Sequence, residues 1–352
     1  IPVLKECIRF KIPAAVIISA GFGESDAYGV ALQKQLHVLI HDNPIRLVGP
    51  NCAGLASFPN GFIATRLNTK TISGHVAFIS QSGALMMSLH GLFRDRHIGL
   101  SRLVSLGNQA DVSIADMIDA FVDDPHTEVI TIFMEGLSRG DQLINAFKRA
   151  LEVRKPIILL KTGRTSRGMA AAATHTAALA GEDRIFKAIC DQFGVIYVDD
   201  IEEMMDVTQV AASLGAKLPS INTFGFISQS GGMGSLTADW IEYTQINAPP
   251  LSKSLKSELY ALGTVPEYAV FLNPADVRGA SVRGKSTADT LGVFMDDPGF
   301  DAIIMLFARP LQTQGAIETA KAIISRVKDG KKPVLAVWCG QRSSTTHLPS
   351  EN

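Results

Sequence analysis

The sequence predicts an α/β protein built on parallel sheets, in which part of a nucleotide-type domain precedes two copies of a doubly wound domain. Three observations predict this fold. Short apolar runs such as HVAFIS and KPIILL are typical of strands that are buried on both faces of a parallel sheet. These runs alternate with amphipathic helical stretches. Finally, the same motifs return in the same order in the second half of the chain.

The recurring motifs indicate an internal duplication. Blocks matched in order across a chain are the pattern of a repeated structural unit. The four blocks and their counterparts are FISQSG (78–83) with FISQSG (226–231), LGNQADV (106–112) with LNPADV (272–277), FVDDPHTEVITIFMEG (121–136) with FMDDPGFDAIIMLFAR (294–309), and RKPIILLKTGR (154–164) with KKPVLAVWCGQR (331–342).

Residues 1–70 are predicted to be the C-terminal part of a nucleotide-type α/β domain. Ile1 opens inside a helix, PAAVIIS (13–19) is a predicted strand, residues 27–41 a helix, and IRLVG (45–49) a second strand. Two parallel strands cannot close a sheet with a core of its own. We therefore expect the first strands and the glycine-rich turn of this domain to lie upstream.

Residues 71–215 are predicted to form the first copy of the repeated domain, and LGAKLPSIN (214–222) a linker. The second copy is expected over 221–352, truncated at its C-terminus. Strands and helices alternate in the first copy. The predicted strands are 75–80, 101–106, 128–134, 156–161 and 195–198, and the predicted helices are 83–96, 112–123, 140–152, 182–193 and 201–213.

Composition excludes several classes of function. The formal net charge is −1 and the pI is about 6.8, so the strongly basic surface of a nucleic-acid-binding protein is absent. No apolar run approaches the roughly 20 residues of a membrane span. The four cysteines have neither metal-ligand nor disulfide spacing, which predicts a protein of the reducing cytoplasm without a metal site of its own.

The SQSG turn is a candidate anion site. A strand that runs through Ser-Gln-Ser-Gly directly into a helix brings free backbone N–H groups, hydroxyls and the positive end of the helix dipole together. A capped turn that binds no ligand is an equally good interpretation of this motif taken alone.

The stretch TGRTSRGMAAAATHTAALAGED (162–183) is predicted to be a mobile loop, because its small residues have little to pack. It carries one histidine, His175, and a lone histidine is more often structural than catalytic. Glu135 follows an apolar strand at the carboxyl edge of the sheet, where ligands of open α/β sheets bind. Such a carboxylate can hold one imidazole nitrogen and leave the other as nucleophile.

Together these motifs resemble the NDP-forming acyl-CoA synthetases, a superfamily that includes the α subunit of succinyl-CoA synthetase. The resemblance implies a partial Rossmann-like CoA-binding domain followed by two flavodoxin-like CoA-ligase domains with parallel sheets. The motifs that carry it are SAGFGE (19–24), GPNCAG (49–54), SQSGA (80–84), SLGNQADV (105–112), MEG (134–136), KTGRT (161–165) and THTAALAGED (174–183).

The resemblance also implies a nucleotide-dependent acid–CoA ligase that works through a phosphohistidine and an acyl phosphate. His175 would be phosphorylated and Glu135 would orient it. The other implied site residues are Ser82, Gly83 and Ala84 at the phosphoryl group, Ser19, Ala20, Asn51 and Cys52 along the CoA path, and Asn108 near the acyl end. For Cys52, a small buried hydrophobe is an equally good interpretation.

The implied cofactors are CoA and ATP/ADP with Mg. No ATP-grasp segment is visible in the sequence, so an ATP-grasp domain or a β-type subunit is the expected partner, besides a small carboxylic acid and CoA. We also expect an oligomer.

The second copy has Ala308 in the place of Glu135, and His347 lacks the AGED context. This copy is therefore interpreted as structural, with an anion pocket retained at Ser230 and Gly231.

Two alternatives stay open. One is a lyase of the same superfamily that uses the acyl-CoA only as an intermediate, for example in ATP-dependent cleavage of dimethylsulfoniopropionate. Trp240 and Tyr243 could then hold a cationic acid, although packing of that helix in the core is the favoured interpretation. The other is a non-catalytic CoA-sensing module, which the presence of both His175 and Glu135 disfavours.

Overall fold

The computed structural model describes residues 1–67, 70–173, 183–215, 221–263, 272–277, 284–308, 314–328 and 332–339. The chain divides into two compact units, Ile1–Ala216 and Lys217–Asn352. The boundary predicted between residues 70 and 71 falls inside the first unit and stays a prediction. In the described residues, no helix combines the length and the apolar character that crossing a membrane requires.

The first unit begins with a small parallel sheet. Helix α1 (Pro2–Arg9) precedes strand β1 (Ala14–Val16), and helix α2 (Ala27–His41) precedes strand β2 (Arg46–Val48), which pairs with β1. The Asp26 carboxylate caps α2 by accepting the Gly29 N–H at 2.9 Å. Leu4, Leu36 and Leu47 are buried at the centre of its small core.

A seven-stranded sheet forms the body of the first unit. Its spatial order is β4-β3-β6-β5-β7-β8-β9, and the five strands β6, β5, β7, β8 and β9 are parallel to one another. The strands are β3 (Gly54–Ser57), β4 (Phe62–Thr65), β5 (Ser73–Ser80), β6 (Leu100–Ser105), β7 (Val129–Met134), β8 (Ile157–Lys161) and β9 (Ile196–Val198).

Sequence analysis did not predict β3 and β4, which pair antiparallel with each other and add to the edge of the sheet at β6. Both strands are short and only partly buried, so they lack the continuous apolar run that marked the central strands. Every residue of β7 and β8, in contrast, is buried. The sheet is therefore mixed, although its core strands are parallel as predicted.

The helices of the seven-stranded unit follow the predicted alternation. They are α3 (Gly83–Asp95), α4 (Ile114–Val122), α5 (Gly140–Glu152), α6 (Ser166–Ala173), α7 (Asp183–Gln192) and α8 (Ile201–Leu214).

Helix α6 corrects the prediction of an uninterrupted loop over 162–183. Its second half is a run of alanines, which have the highest intrinsic helix propensity. The Thr165 hydroxyl caps its start by accepting the Gly168 N–H at 3.1 Å. Residues 174–182 of the predicted loop, with His175, lie outside the described residues.

The second unit repeats the topology of the first. Its four strands are all parallel, in the order β11-β10-β12-β13, which matches β6-β5-β7-β8. Its elements are β10 (Phe224–Ser228), α9 (Gly231–Thr244), α10 (Lys253–Ala261), β11 (Ala275–Asp276), α11 (Gly284–Asp296), β12 (Ala302–Phe307), α12 (Gln314–Lys328) and β13 (Val334–Trp338). The internal duplication is thus visible in the sheet order.

Strand register supports three of the four matched blocks and corrects the other. Leu106 N donates to Ser80 O at 2.9 Å, and Val277 N donates to Ser228 O at the same distance. Val277 therefore occupies the place of Leu106, whereas the match of LGNQADV with LNPADV set it opposite Val112. The shared Ala-Asp-Val letters are a coincidence of sequence, because the second copy reaches this strand through a different connection that contains α10.

Strands β5 and β6 approach closely where Gly74 faces Gly99. A Cβ on Gly99 would lie 2.7 Å from Gly74 Cα and 2.7 Å from Ser73 O. We expect Gly99→Ala to reduce the free energy of unfolding by about 1–3 kcal/mol, since overpacking forces the strands apart. Hydrogen exchange of the β5 and β6 amides measures this loss in the first unit directly.

Gly91→Ala is the matched control, because a Cβ there meets nothing within 4 Å and the residue lies inside α3. It should stabilise the same amides by about 0.5–1 kcal/mol, the helix preference of alanine over glycine. Equal effects of the two substitutions would contradict the close approach of β5 and β6.

Candidate functional site

A cavity of about 620 Å³ opens in the first unit beside the carboxyl ends of β5, β6 and β7. Seven of the predicted site residues line it together. Ser19 and Ala20 are exposed and are not among its lining residues, and His175 is outside the described part of the chain. The lining residues are Ile18, Asn51, Cys52, Ala53, Arg66, Gln81, Ser82, Gly83, Ala84, Met87, Gly107, Asn108 and Glu135.

The SQSG turn points the N-terminus of α3 into this cavity. The Ser80 hydroxyl donates to Ser82 O at 2.7 Å, and the Ser82 hydroxyl oxygen accepts the Leu85 N–H at 3.4 Å as the cap of the helix. Gly83 and Ala84 occupy the first two helical positions, whose N–H groups have no carbonyl partner within a helix. With the helix dipole, these groups favour an anion in the cavity.

Gln81 connects this turn to the end of β7. Its side chain is 5% exposed, and its Oε1 accepts the N–H groups of Glu135 and Gly136 at 2.7 and 3.0 Å. The partly buried Glu135 is therefore fixed through its own backbone at the wall of the cavity. Sequence analysis missed Gln81, although its return as Gln229 in the second copy was an available signal.

Asn108 joins two backbone segments on the other side of the cavity. Its N–H donates to Pro50 O at 2.9 Å, and its Oδ1 accepts from Asn51 Nδ2 at 3.2 Å. Its Nδ2 donates to Glu24 Oε2 and to Gln33 Oε1. The loop that contains Ser19 and Ala20 is thereby tied to the end of β6, through two residues that sequence analysis did not identify.

Glu24 is held in its ionised form by this network. Burial alone raises the pKa of Glu24, but hydrogen bonds from Asn108 and from the N–H groups of Gly21 and Phe22 outweigh it. The net effect places the pKa below the ordinary value of 4.5. The ionised carboxylate accepts these N–H groups and so orders the loop.

Cys52 lies at the base of the cavity and is 5% exposed. Its Sγ donates to Ile17 O at 3.3 Å, and burial raises the pKa of the thiol above its ordinary value. Cys52 is therefore a neutral thiol at physiological pH, which suits a packing role better than a nucleophilic one.

Arg66 is a lining residue that sequence analysis did not predict. It follows β4 directly, is exposed, and is the one cation among the described residues around the cavity. Glu135 is the one acid in the same set. The cavity wall thus combines a positive helix end, one guanidinium and one carboxylate.

Two described ends of the 162–183 stretch meet beside β9. The Arg164 guanidinium contacts the carboxylates of Asp183 and Asp199 and lies 5.1 Å from the centre of the Tyr197 ring. The Tyr197 hydroxyl donates to Asp183 at 2.6 Å. These contacts hold Arg164 and Asp183 at the carboxyl edge of the sheet, beside β9.

The second unit retains the backbone of the SQSG turn but has no counterpart of Glu135. The Ser228 hydroxyl donates to Ser230 O at 2.8 Å, as Ser80 does in the first unit, but Ala308 follows β12 where Glu135 follows β7. An anion pocket at Ser230 and Gly231 stays a prediction, and His347 lies outside the described residues.

Trp240 and Tyr243 are not packed in a core, contrary to the favoured interpretation of their helix. They are 59% and 77% exposed, and their rings meet edge to face with centroids 6.1 Å apart. Helix α9 has no fully buried residue. This pair lies in the second unit, whereas the cavity residues lie in the first unit.

Comparison with known proteins identifies relatives along nearly the whole chain. Residues 73–211 match the family model described as succinyl-CoA ligase like flavodoxin domain. The α subunit of acetate–CoA ligase [ADP-forming] II from Pyrococcus furiosus is 34% identical over 338 residues, which cover 95% of this chain and 72% of the relative. The 4-hydroxybutyrate–CoA ligase [ADP-forming] of Nitrosopumilus maritimus is 30% identical over 98% of this chain and 49% of its own length.

A solved structure has the same fold. Acetyl-coenzyme A synthetase 1 of Ca. Korarchaeum cryptofilum, described as dinucleotide forming and solved with phosphate and ADP, superposes with a TM-score of 0.88. It is 32% identical, and the superposition covers 97% of this chain and 72% of that one.

Replacing Gln81 tests whether it positions Glu135. Gln81→Leu leaves the Glu135 and Gly136 N–H groups without their acceptor, and an unpaired buried donor costs about 1–3 kcal/mol. We expect faster hydrogen exchange at these two amides. Gln81→Glu keeps the accepting oxygen and should retain most of the protection. Wild-type exchange in Gln81→Leu would show that other groups fix the end of β7.

The Glu24 network predicts a dependence of stability on pH. A carboxyl whose pKa is lowered on folding stabilises the protein fully above its unfolded pKa, and this contribution disappears as the pH falls through the folded pKa. The stability advantage of wild type over Glu24→Gln should therefore be complete well above pH 4.5 and decline below it. Unfolding measured from pH 6 to pH 3 checks this expectation.

Asn108→Ala provides the control for the cause of the shift. Asn108 is the strongest of the interactions that lower the Glu24 pKa, so the Glu24→Gln difference should be smaller and less dependent on pH in that background. An identical pH profile in both backgrounds would exclude Asn108 as the cause.

Proposed function

Because this chain belongs to the ADP-forming acid–CoA ligases, we propose that its first unit couples formation of an acyl-CoA to dephosphorylation of a phosphohistidine, with His175 as the phosphorylated residue. The relatives establish the class, an acid–thiol ligase that uses CoA and ATP/ADP. The observation that carries the residue-level proposal is the cavity where the N-terminus of α3 and Glu135 meet.

The proposed reaction has three balanced steps. The nucleotide transfers its γ-phosphoryl group to His175 and leaves as the diphosphate. The acid's carboxylate then attacks phosphorus, the P–N bond breaks, and an acyl phosphate forms. Finally the CoA thiolate attacks the acyl carbon, the C–O bond breaks, and phosphate leaves.

The α3 N-terminus would hold the phosphoryl group during these transfers. Gly83 and Ala84 supply backbone N–H groups and Ser82 supplies a hydroxyl, and charge-assisted hydrogen bonds to such groups are among the stronger ones in proteins. A Cβ on Gly83 would lie 3.1 Å from Ala53 N and from Ala53 Cβ. Glycine at this position lets the 49–54 segment, which would lie along the CoA path, approach the phosphoryl site closely.

Glu135 would orient the imidazole of His175 by accepting a hydrogen bond from one ring nitrogen, which leaves the other free to attack phosphorus. Its position supports this role, because Gln81 fixes the backbone of Glu135 beside the turn that would hold the phosphoryl group. A carboxylate also stabilises the positive charge of a protonated phosphohistidine.

CoA would enter along the loop of Ser19 and Ala20 and reach Asn51 and Cys52. The Asn51 N–H donates to Ser19 O at 2.9 Å, so this exposed loop leads directly to the cavity wall. Asn108 would lie at the acyl end, held by Glu24 and Gln33. Because Cys52 is a neutral thiol, CoA's own sulfur is the nucleophile in this scheme.

The nucleotide and its Mg ion would be bound mainly by an ATP-grasp part, either elsewhere on the polypeptide or on a β-type subunit. Relatives that are named as α subunits support a separate partner.

We further propose that the chain divides into a CoA-binding part (1–70), a catalytic ligase domain (71–215) and a structural ligase-like domain (221–352). We also propose that it forms an oligomer and that it is located in the cytoplasm.

Phosphoryl transfer can be tested on this chain alone by running the reaction backwards. Acyl phosphates labelled with ³²P, beginning with acetyl phosphate, should transfer their label to wild type in an acid-labile, base-stable form. His175→Ala should accept none. Glu135→Gln keeps the shape but loses the charge, so labelling should slow by roughly 100-fold, the scale of a partner that orients a reacting group.

His347→Ala is the matched histidine control and should be labelled at the wild-type rate. Label that persists in His175→Ala would overturn the assignment of the nucleophile. Labelling of Glu135→Gln at the wild-type rate would show that the Glu135 carboxylate has no part in phosphoryl transfer.

A further inference from the structure

Arg66 directly follows the β3–β4 hairpin, whose packing holds it at the cavity. Strand β4 ends at Thr65, whose hydroxyl donates to Ala53 O at 2.6 Å, and Thr65 pairs with Gly54 across the hairpin. Gly54 has φ +91°, and a Cβ there would lie 2.1 Å from Ala64 O. The hairpin is therefore closely packed immediately before Arg66, and the same segment reaches Gly83 through Ala53.

No carboxylate of the described residues pairs with Arg66. Within the part of the chain that the structure describes, its guanidinium makes neither an ion pair nor a hydrogen bond. Other arginines of the first unit are paired, for example Arg46 with Asp111, Arg102 with Asp124 and Arg149 with Asp119. An arginine that lines a cavity with all five N–H donors available is suited to bind a carboxylate or phosphate.

The α3 N-terminus and Arg66 are two separate positive features on different elements of one cavity. Met87 lies one helical turn beyond Gly83 and adds an apolar wall to it. A cavity of about 620 Å³ has room for an acyl group beside a phosphoryl group. A cationic acid would meet like charge here, whereas an acid with accessible oxyanions would meet a complementary donor.

Building on the proposed function, we propose that Arg66 determines specificity by binding an oxyanion of the acid substrate in this cavity. Two sources share that chemistry. One is the reacting end, as carboxylate and then as acyl phosphate, and the other is a second carboxylate on a dicarboxylic acid. In either case the guanidinium contributes mainly to substrate affinity, because a guanidinium donates hydrogen bonds and does not itself accept or donate the transferred phosphoryl group.

Direct binding measurements on the whole chain test this role. Acetylphosphonate, a mimic of an acyl phosphate that cannot transfer its phosphorus, probes the reacting end, and glutarate probes a second carboxylate. Calorimetric titration should show that Arg66→Gln weakens at least one of them by about 10- to 100-fold, the range for a lost hydrogen bond to a charged group. Arg66→Lys keeps the charge without the planar fork and should recover part of the affinity.

Arg9→Gln is the matched control, since Arg9 is exposed on α1 over the Phe10 ring and does not line the cavity. It removes the same charge and should leave both affinities unchanged. A selective loss for acetylphosphonate assigns Arg66 to the reacting end, and a selective loss for glutarate assigns it to a second carboxylate.

The proposal is overturned if neither probe binds to wild type, or if Arg66→Gln and Arg9→Gln bind both probes as wild type does. These titrations need neither nucleotide nor CoA and can be repeated in His175→Ala. Failure of ³²P labelling would therefore count against His175 alone, while the titrations would still decide the role of Arg66.

Discussion

The close backbone approach between the 49–54 segment and the carboxyl ends of β5 and β6 is the constraint on which the site depends. Gly107 has φ +55°, and a Cβ there would lie 2.2 Å from both Pro50 O and Asn51 O. Only a residue without a side chain allows this contact. It places Asn51, Cys52 and Asn108 beside the start of α3, so groups from the 49–54 segment and from the seven-stranded sheet line one cavity.

Polar side chains convert this approach into a defined site. A buried polar group is stable only when its hydrogen bonds are satisfied, and networks in which every member is paired become rigid. Gln81 satisfies two N–H groups at the end of β7, while Asn108 and Glu24 satisfy the loop before α2. Each of the two networks orders one wall of the cavity.

Sequence patterns predicted the fold where a single interaction dominates and failed where several compete. Strands β7 and β8 are largely apolar because both of their faces are buried, so burial alone made them recognisable in the sequence. Strands β3 and β4 are half-exposed, and α6 depends on alanine propensity within a run that was interpreted as a loop. The residues of the site fall into the same two groups. Ser82 and Glu135 were predicted because they lie at the ends of recognisable motifs. Gln81, Glu24 and Arg66 were missed because their positions depend on partners or surfaces that are distant in sequence. His175 stays a prediction from the sequence.

The two copies place different residues at the same edge of one sheet topology. Lys161 ends β8 almost fully buried, close to the Phe186 ring, and burial lowers its pKa. At the equivalent register in the second unit, Trp338 stacks on Phe307 with centroids 4.1 Å apart. A buried lysine costs solvation energy that an aromatic stack does not. Together with Ala308 in the place of Glu135, this exchange removes two ionisable groups from the edge of the second unit, and an edge without them avoids the cost of burying charge.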